Sequence, residues 1–239
     1  MLTLNQSPAN VWSLEAIREA QTALDHLDCH TVRALVVTGM GEEFFSAGLD
    51  PISFQSLSEE ERRTVFSEFE RLCETLANLP ILTIAAINGY VAGWGVQWAL
   101  ACDVRLAERQ VELHFSELNQ GLLPSASMLR RLQACVGDAW VRRVLLAGER
   151  VSAAQAEAIG LIQEAVGVGC AKIAALSLAE RATETQAGAV AFLKSVLNVP
   201  SVAARDDALS QASIERYMQS GWELRAQQII QAQLSACED

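Results

Sequence analysis

The sequence has few basic residues, and it lacks metal-binding patterns and long apolar runs. Its 18 lysines and arginines stand against 29 aspartates and glutamates, which gives a formal net charge of −11. Nonspecific nucleic-acid binding depends on a basic surface, so this balance argues against it. An anionic ligand would need a local basic group, and the candidates are the pairs Arg62-Arg63, Arg130-Arg131 and Arg142-Arg143.

Six cysteines and three histidines are scattered along the chain without the spacing of metal ligands. No Cys-x-x-Cys pair occurs, so we interpret the cysteines as reduced, mostly buried thiols and expect no metal site. No apolar run reaches membrane-spanning length, and the first residues lack a basic segment followed by a long apolar core. We therefore expect a soluble, cytoplasmic protein.

The composition is that of a globular chain, since 51% of the residues are apolar and only 20% are charged. At 239 residues the chain can bury one large core, and no Pro/Ser/Gly-rich linker divides it. Strand and helix patterns alternate in the first part, which predicts an α/β layered fold. We expect a core over residues 1–170 and a helical C-terminal region over residues 171–239.

The segment 81–107 combines a buried strand, a glycine-rich turn and a helix. An apolar run over 81–87 is followed by Gly89, Gly93 and Gly95 around Trp94, and then by residues of helical spacing. The first N–H groups of a helix have no partner within it, and glycines allow a ligand to approach the backbone closely. This turn could therefore form an oxyanion hole, or its glycines could serve only the packing of a helix against a sheet.

Two further loops are candidates for the same site. The loop at 44–51 follows a buried strand and places small residues beside Gly48, so its backbone N–H groups could face a ligand; it could also be an ordinary tight turn. The loop at 116–124 carries Glu117 among apolar neighbours. Glu117 could be an acid/base group or simply one acid among many.

Together these motifs resemble the crotonase superfamily, the enoyl-CoA hydratases and isomerases. The resemblance runs from Leu2 to about Val166 and rests on four motifs in the family's order. They are Phe45-Ser46-Ala47-Gly48-Leu49-Asp50; Asn88-Gly89-Tyr90-Val91-Ala92-Gly93-Trp94-Gly95 with Cys102-Asp103; Phe115-Ser116-Glu117 with Gly121-Leu122-Leu123-Pro124; and Gly148-Glu149-Arg150-Val151-Ser152-Ala153 with Gly160-Leu161.

The resemblance implies a spiral of β-β-α units whose helical C-terminal region builds trimers or hexamers or caps the active site. It implies an acyl-CoA substrate of the kind met in fatty acid metabolism, with coenzyme A entering as part of the substrate and no other cofactor. The thioester oxygen would lie between the backbone N–H groups of Leu49 and Trp94. The substrate-binding positions that it implies are Ala47, Asp50, Pro51, Ile52 and Gln97.

The identity of two residues bears on the reaction. Hydratases of the family pair two glutamates, and here the corresponding positions hold Gln97 and Glu117. Water addition benefits from two carboxylates, whereas moving a double bond needs one base that returns the proton elsewhere. The pattern favours a 3-enoyl to 2-enoyl thioester isomerase with Glu117 as its acid/base. Partial burial would raise the pKa of Glu117 towards the range of a proton shuttle.

The sequence departs from the family pattern at three places. Trp94 replaces a glycine, Glu43 stands where many members carry a lysine near the CoA phosphates, and Ser125-Ala126-Ser127 replaces a glycine-rich turn. Another isomerase branch places its glutamate where Ser125 stands, which argues against that branch. The missing lysine leaves an acyl carrier protein open as the carrier. The alternatives to an isomerase are a hydratase or dehydratase, and a catalytically silent member that is kept for binding or assembly.

Overall fold

The computed structural model describes residues 1–120, 122–185 and 187–198, and within them strands and helices alternate as the sequence predicts. The strands are β1 (Leu2–Leu4), β2 (Ala34–Gly39), β3 (Phe44–Ser46), β4 (Leu82–Ile87), β5 (Tyr90–Ala92), β6 (Val104–Glu108), β7 (Glu112–His114), β8 (Val151–Ser152) and β9 (Glu164–Val166). The helices are α1 (Leu14–Asp25), α2 (Pro51–Gln55), α3 (Glu59–Ala77), α4 (Trp94–Leu100), α5 (Ala126–Leu146), α6 (Ala153–Ala158), α7 (Ala171–Ala182) and α8 (Ala187–Leu197).

Consecutive strands divide between two sheets. The larger sheet has the order β1-β2-β4-β6-β9 and is parallel throughout. The smaller sheet has the order β3-β5-β7-β8, and β8 alone runs antiparallel to its neighbour. Each pair β2/β3, β4/β5 and β6/β7 thus contributes one strand to each sheet before the chain enters a helix. This repetition is the expected spiral of β-β-α units.

The strand β4 lies at the centre of the larger sheet and is covered on both faces, which explains why all of its residues except Thr83 are apolar. Ala85 and Ile87 face the main core between the sheets and helices. Ile84 and Ala86 face the other way and pack with Ala175 of α7 in a smaller apolar cluster.

The helix α3 begins with a side-chain cap. Ser58 and Glu61 form a reciprocal capping box, which satisfies two backbone N–H groups at the helix start. The apolar stripe of α3 includes Phe66 and Phe69, both buried, and Phe69 meets the edge of Trp12 at 5.2 Å between ring centroids. This face of α3 forms one wall of the site described below.

The helix α5 is kinked near its middle. Gly137 has φ 70° and ψ 169° there, which are not helical values. The predicted motif residue Gly121 lies outside the described residues.

The described part of the C-terminal region consists of α7 and α8. Lys194 of α8 donates to the backbone oxygen of Ile81 at 2.8 Å and pairs with Asp103 at 2.7 Å, which ties this helix to the larger sheet. The predicted helical segment beyond residue 198 lies outside the described residues, and the role of region 171–239 in trimerisation or capping stays a prediction. No helix in the described ranges is both long and apolar enough to cross a bilayer.

Candidate active site

The segments that follow β3 and β5 are neighbours, because these two strands run parallel and end at the same edge of the smaller sheet. Ser46 lies opposite Val91 in their pairing. A β-carbon built on Gly48 would stand only 3.4 Å from the backbone nitrogen of Trp94. The absence of a side chain at Gly48 therefore lets the two backbones approach closely.

The N–H of Leu49 points away from the isolated β-bridge that Leu49 forms with Trp12. Gly48 accepts a backbone hydrogen bond from Trp12 at 2.7 Å, and Asp50 donates one to Trp12 at 2.9 Å. Because successive residues of an extended chain point in opposite directions, the N–H of Leu49 faces the other side. It has no hydrogen-bond partner among the described residues.

The helix α4 begins at a glycine whose conformation is unusual. Gly93 has φ 49° and ψ −116°, a region that strains residues with a side chain, and it provides no side-chain cap. The N–H of Trp94, the first of the helix, has no partner within the part of the chain that the structure describes. Gly95 serves packing instead, since a β-carbon there would lie 2.4 Å from the backbone oxygen of Ser46.

Glu117 lies on the turn after β7 and is buried, with 3% of its surface exposed. Its backbone oxygen accepts from Leu122 at 2.8 Å, which fixes the turn. Neither carboxylate oxygen accepts a hydrogen bond of normal geometry from the described residues. A β-carbon built on Gly93 would stand 3.7 Å from Oε1 of Glu117, so the carboxylate lies beside the start of α4.

The environment of Glu117 favours its neutral form. Burial raises the pKa of this carboxyl from 4.5 to about 7, and a smaller contribution from the residue's own backbone N–H opposes the rise. The pKa therefore lies where a group can both take up and release a proton near neutral pH.

The side chain of Trp94 forms an aromatic wall next to Glu117. Its ring stacks on Phe69 with centroids 4.2 Å apart and planes 9° apart, and it meets Phe66 edge to face at 5.0 Å. Beside this wall is a cavity of about 20 Å³. The cavity is lined by Phe66, Phe69, Glu70, Trp94, Gln97, Glu117, Leu123, Pro124 and Ser125.

A second carboxylate reaches the same cavity from α3. Oε1 of Glu70 accepts hydrogen bonds from Nε2 of Gln97 at 2.8 Å and from the hydroxyl of Ser127 at 3.0 Å. Gln97 lies on α4 and is 2% exposed, so its amide is held in one orientation. These two hydrogen bonds connect α3, α4 and α5 at the cavity.

The structure brings together some of the residues expected from the sequence and leaves others outside. Gln97, Glu117 and Trp94 line the cavity, whereas Leu49 does not, although Gly48 before it lies close to the backbone nitrogen of Trp94. Four further residues, Ala47, Asp50, Pro51 and Ile52, do not line it. The carboxylate of Asp50 caps α2 by accepting from Ile52 at 3.0 Å and from the hydroxyl of Ser53, while the side chain of Ile52 is largely exposed.

Glu70 and Ser127 are not among the residues expected from the sequence. Glu70 follows Phe66 by four residues and precedes Cys73 by three, so helical spacing places it on the apolar face of α3. A carboxylate on such a face is a signal that the sequence contained. Nothing in the sequence indicated that Ser127 would meet it, because the two residues lie 57 positions apart.

Comparisons with known proteins agree with this architecture. The family model described as enoyl-CoA hydratase/isomerase matches residues 1–227. A Bacillus subtilis protein named "Probable enoyl-CoA hydratase" is 33% identical over 202 residues, which are 82% of this chain and 78% of that protein.

Solved structures show the same fold. The structure of Pseudomonas aeruginosa DspI has 36% identity and a TM-score of 0.79, with 90% of this chain and 88% of that chain covered. Human mitochondrial delta3-delta2-enoyl-CoA isomerase superposes with a TM-score of 0.85 over 98% of this chain and 93% of that chain, and its 21% identity supports the fold alone. With the family model matching nearly the whole chain, the protein belongs to the enoyl-CoA hydratase/isomerase family of enzymes.

Proposed function

We propose that this enzyme moves a double bond in an acyl thioester, from the 3-enoyl to the 2-enoyl form, with Glu117 as its acid/base. The observation that carries the proposal is the state of the Glu117 carboxylate. It is buried, both of its oxygens are without a hydrogen-bond partner among the described residues, and it lies beside the start of α4. A buried carboxylate without a partner is costly, and proton transfer to a bound substrate gives it a use.

In this mechanism the thioester oxygen accepts hydrogen bonds from the N–H groups of Leu49 and Trp94. Glu117 takes a proton from C2, and the electron pair of that C–H bond passes into the thioester enolate. The neutral Glu117 then returns the proton to C4 while the C3=C4 double bond shifts to C2=C3. Two fixed donors aimed at the enolate oxygen stabilise it without reorganisation, and removal of one such donor typically costs roughly a hundredfold to a thousandfold in rate.

Gln97 supports a single-base reaction. Its amide has no proton-accepting nitrogen, and its Nε2 is already engaged by Glu70 at 2.8 Å. Gln97 therefore cannot take the part of a second general base. The shuttle from C2 to C4 requires only Glu117.

The substrate, the cofactor requirement and the oligomeric state are proposed from the family to which the chain belongs. We propose an acyl-CoA substrate, no cofactor beyond the coenzyme A that it carries, and a trimer or hexamer of this chain. Ala47, Asp50, Pro51 and Ile52 would bind the carrier outside the cavity. Glu43 provides no positive charge for a phosphate, which keeps an acyl carrier protein as an alternative carrier.

A second candidate function is the addition or removal of water. The cavity of about 20 Å³ has the volume of about one water molecule, and Glu70, Gln97 and Glu117 give it polar walls. This observation favours hydration or dehydration at the same site as the alternative to isomerisation.

One experiment that follows the absorbance of the conjugated enoyl thioester distinguishes isomerisation from the addition or removal of water. Purified enzyme receives a 3-enoyl thioester in one cuvette and a 2-enoyl thioester in the other, each on CoA and on acyl carrier protein. The isomerase is supported if the wild type forms the conjugated thioester from the 3-enoyl substrate and Glu117→Gln does not. Loss of conjugation from the 2-enoyl substrate supports water addition. Silence with all four substrates, together with no thermal stabilisation by any of them, would favour a catalytically silent member of the family that is kept for binding or assembly.

A further inference from the structure

The carboxylate of Glu70 is held by one oxygen only. Oε1 accepts from both Gln97 and Ser127, whereas Oε2 accepts no hydrogen bond within the described ranges. The two donors come from different helices, so together they fix the position of the side chain. A carboxylate anchored in this way presents its second oxygen in a defined place.

The cavity beside Glu70 is matched to a water molecule and not to an acyl chain. Its volume is about 20 Å³, above the roughly 10–15 Å³ that a water needs and far below the several hundred Å³ of a typical small-molecule site. Glu117 borders the same cavity, and its two buried oxygens are without a partner in the described segments. A water here would border the carboxyl groups of both Glu70 and Glu117.

We infer that Glu70 is the water-handling carboxylate of this site and determines whether the enzyme adds water or only moves a double bond. The inference rests on the proposed acid/base role of Glu117. It assigns the second carboxylate of the site to α3, and it makes Gln97 and Ser127 positioning residues that act through Glu70.

The step balances without any further reactant. As the water oxygen forms its bond to C3 of a 2-enoyl thioester, one O–H bond breaks and its proton passes to Glu70. The π electrons of C2=C3 move into the thioester enolate. Neutral Glu117 then gives its proton to C2, and exchange with solvent removes the proton from Glu70 and restores the one on Glu117. The net change is the addition of H and OH across one double bond.

The test compares two rates in each of four proteins: the wild type, Glu70→Gln, Ser127→Ala and Glu68→Gln. Isomerisation of a 3-enoyl-CoA and hydration of a 2-enoyl-CoA are followed by absorbance, and incorporation of oxygen-18 from labelled water confirms hydration. Glu70→Gln retains an acceptor for Gln97 and Ser127 but cannot take a proton. Glu68→Gln makes the same change on the same helix, at a residue that pairs with Arg18 on the surface.

We expect Glu70→Gln to lower hydration at least a hundredfold, within the range of a lost acid/base group, while isomerisation stays within threefold of the wild type. Ser127→Ala should lower the ratio of hydration to isomerisation by a smaller factor, and Glu68→Gln should leave it unchanged. A purely structural role of Glu70 would lower both reactions alike, and that result would overturn the inference. If Glu70→Gln does not fold, an unchanged ratio in Ser127→Ala would overturn it.

The outcomes for the wild type keep this inference separate from the proposed isomerase. If the wild type isomerises but never hydrates, the proposed role of Glu70 is contradicted and the proposed role of Glu117 is not. If the wild type hydrates but does not isomerise, the proposed isomerase function is contradicted. The hydration rate of Glu70→Gln then still shows whether Glu70 takes the proton from water.

Discussion

The carboxylate of Glu117 lies beside the backbone of Gly93: a β-carbon on Gly93 would stand in ordinary contact with Oε1 at 3.7 Å and would crowd the hydroxyl of Ser116 at 3.2 Å. The residue that starts α4 thus needs to be a glycine for two reasons. Its φ of 49° disfavours a side chain, and the space that a side chain would occupy belongs to the turn that carries the proposed base. The start of α4 and the turn that carries Glu117 therefore pack directly against each other.

This contact predicts the effect of Gly93→Ala on activity. The added methyl group should push the Ser116–Glu117 turn away from the thioester and lower kcat/KM at least tenfold, because small misplacements of reacting groups are costly. Gly137→Ala is the matched control. Gly137 also has a positive φ of 70°, but a β-carbon there would meet nothing within 4 Å.

Both variants should lose roughly 1–3 kcal/mol of stability through backbone strain, measured by thermal or denaturant unfolding. Only Gly93→Ala should lose activity beyond its loss of folded protein. Equal activities in the two variants would show that the space beside Glu117 is not needed for the reaction.

The raised pKa of Glu117 predicts the pH dependence of isomerisation. A base must be ionised, so kcat/KM should fall about tenfold per pH unit below pH 7 and reach a plateau above it. The backbone oxygen of His114 accepts from Gly93 at 3.0 Å, but burial first, with Arg150 second, lowers the pKa of its imidazole below 6.5. His114→Gln should therefore keep the inflection near pH 7. Glu117→Gln should lower the rate roughly a hundredfold to ten-thousandfold and leave no inflection there.

The same pKa predicts a gain of stability in Glu117→Gln that depends on pH. The folded protein binds the proton of Glu117 up to about pH 7, whereas the unfolded chain releases it near pH 4.5. Stability therefore falls as pH rises from about 4.5 to 7, by an amount of about 3 kcal/mol, and stays low above that range. Glu117→Gln removes this loss.

Unfolding by denaturant at pH 8 and pH 4.5 measures the effect. The variant should be more stable than the wild type at pH 8, and the difference should shrink towards zero at pH 4.5. Glu68→Gln serves as the control, since Glu68 lies on the surface and pairs with Arg18. A difference that is the same at both pH values would contradict the raised pKa.

The architecture could be predicted from the sequence because each step depends on local patterns. The buried run of β4 and the glycine-rich turn at the start of α4 are both visible in a few neighbouring residues. The apolar neighbours of Glu117 in the same loop indicate partial burial, and the structure buries the residue almost fully, with 3% exposed. Such features need no knowledge of distant contacts.

The polar network of the site could not be predicted in the same way. Gln97 meets Glu70 across 27 positions and Glu70 meets Ser127 across 57, so the network depends on how three helices pack. Asp50 shows the opposite case. It was assigned to the substrate from the resemblance, and the structure shows that its carboxylate caps α2. A contact of Asp50 with a substrate stays a prediction.

Trp94 predicts the acyl specificity of the enzyme. Its indole fills the space next to the cavity by stacking on Phe69 at 4.2 Å, so the pocket that a longer acyl chain would need is occupied. Trp94→Ala retains the backbone N–H and removes this wall. The ratio of kcat/KM for a long-chain over a short-chain 3-enoyl-CoA should rise at least tenfold, since each methylene accommodated contributes about 1–3 kcal/mol.

The substitution should also lower stability by about 3–5 kcal/mol, because it opens a cavity in the aromatic cluster. Trp140→Ala provides the control for a lost tryptophan. Trp140 is partly buried on α5, lies under Arg143 at 4.2 Å and does not line the cavity, so its removal should cost stability without changing the preference for chain length. A preference unchanged in Trp94→Ala would place the acyl chain elsewhere than beside Trp94, and the tryptophan would then serve the packing of α3 against α4 alone.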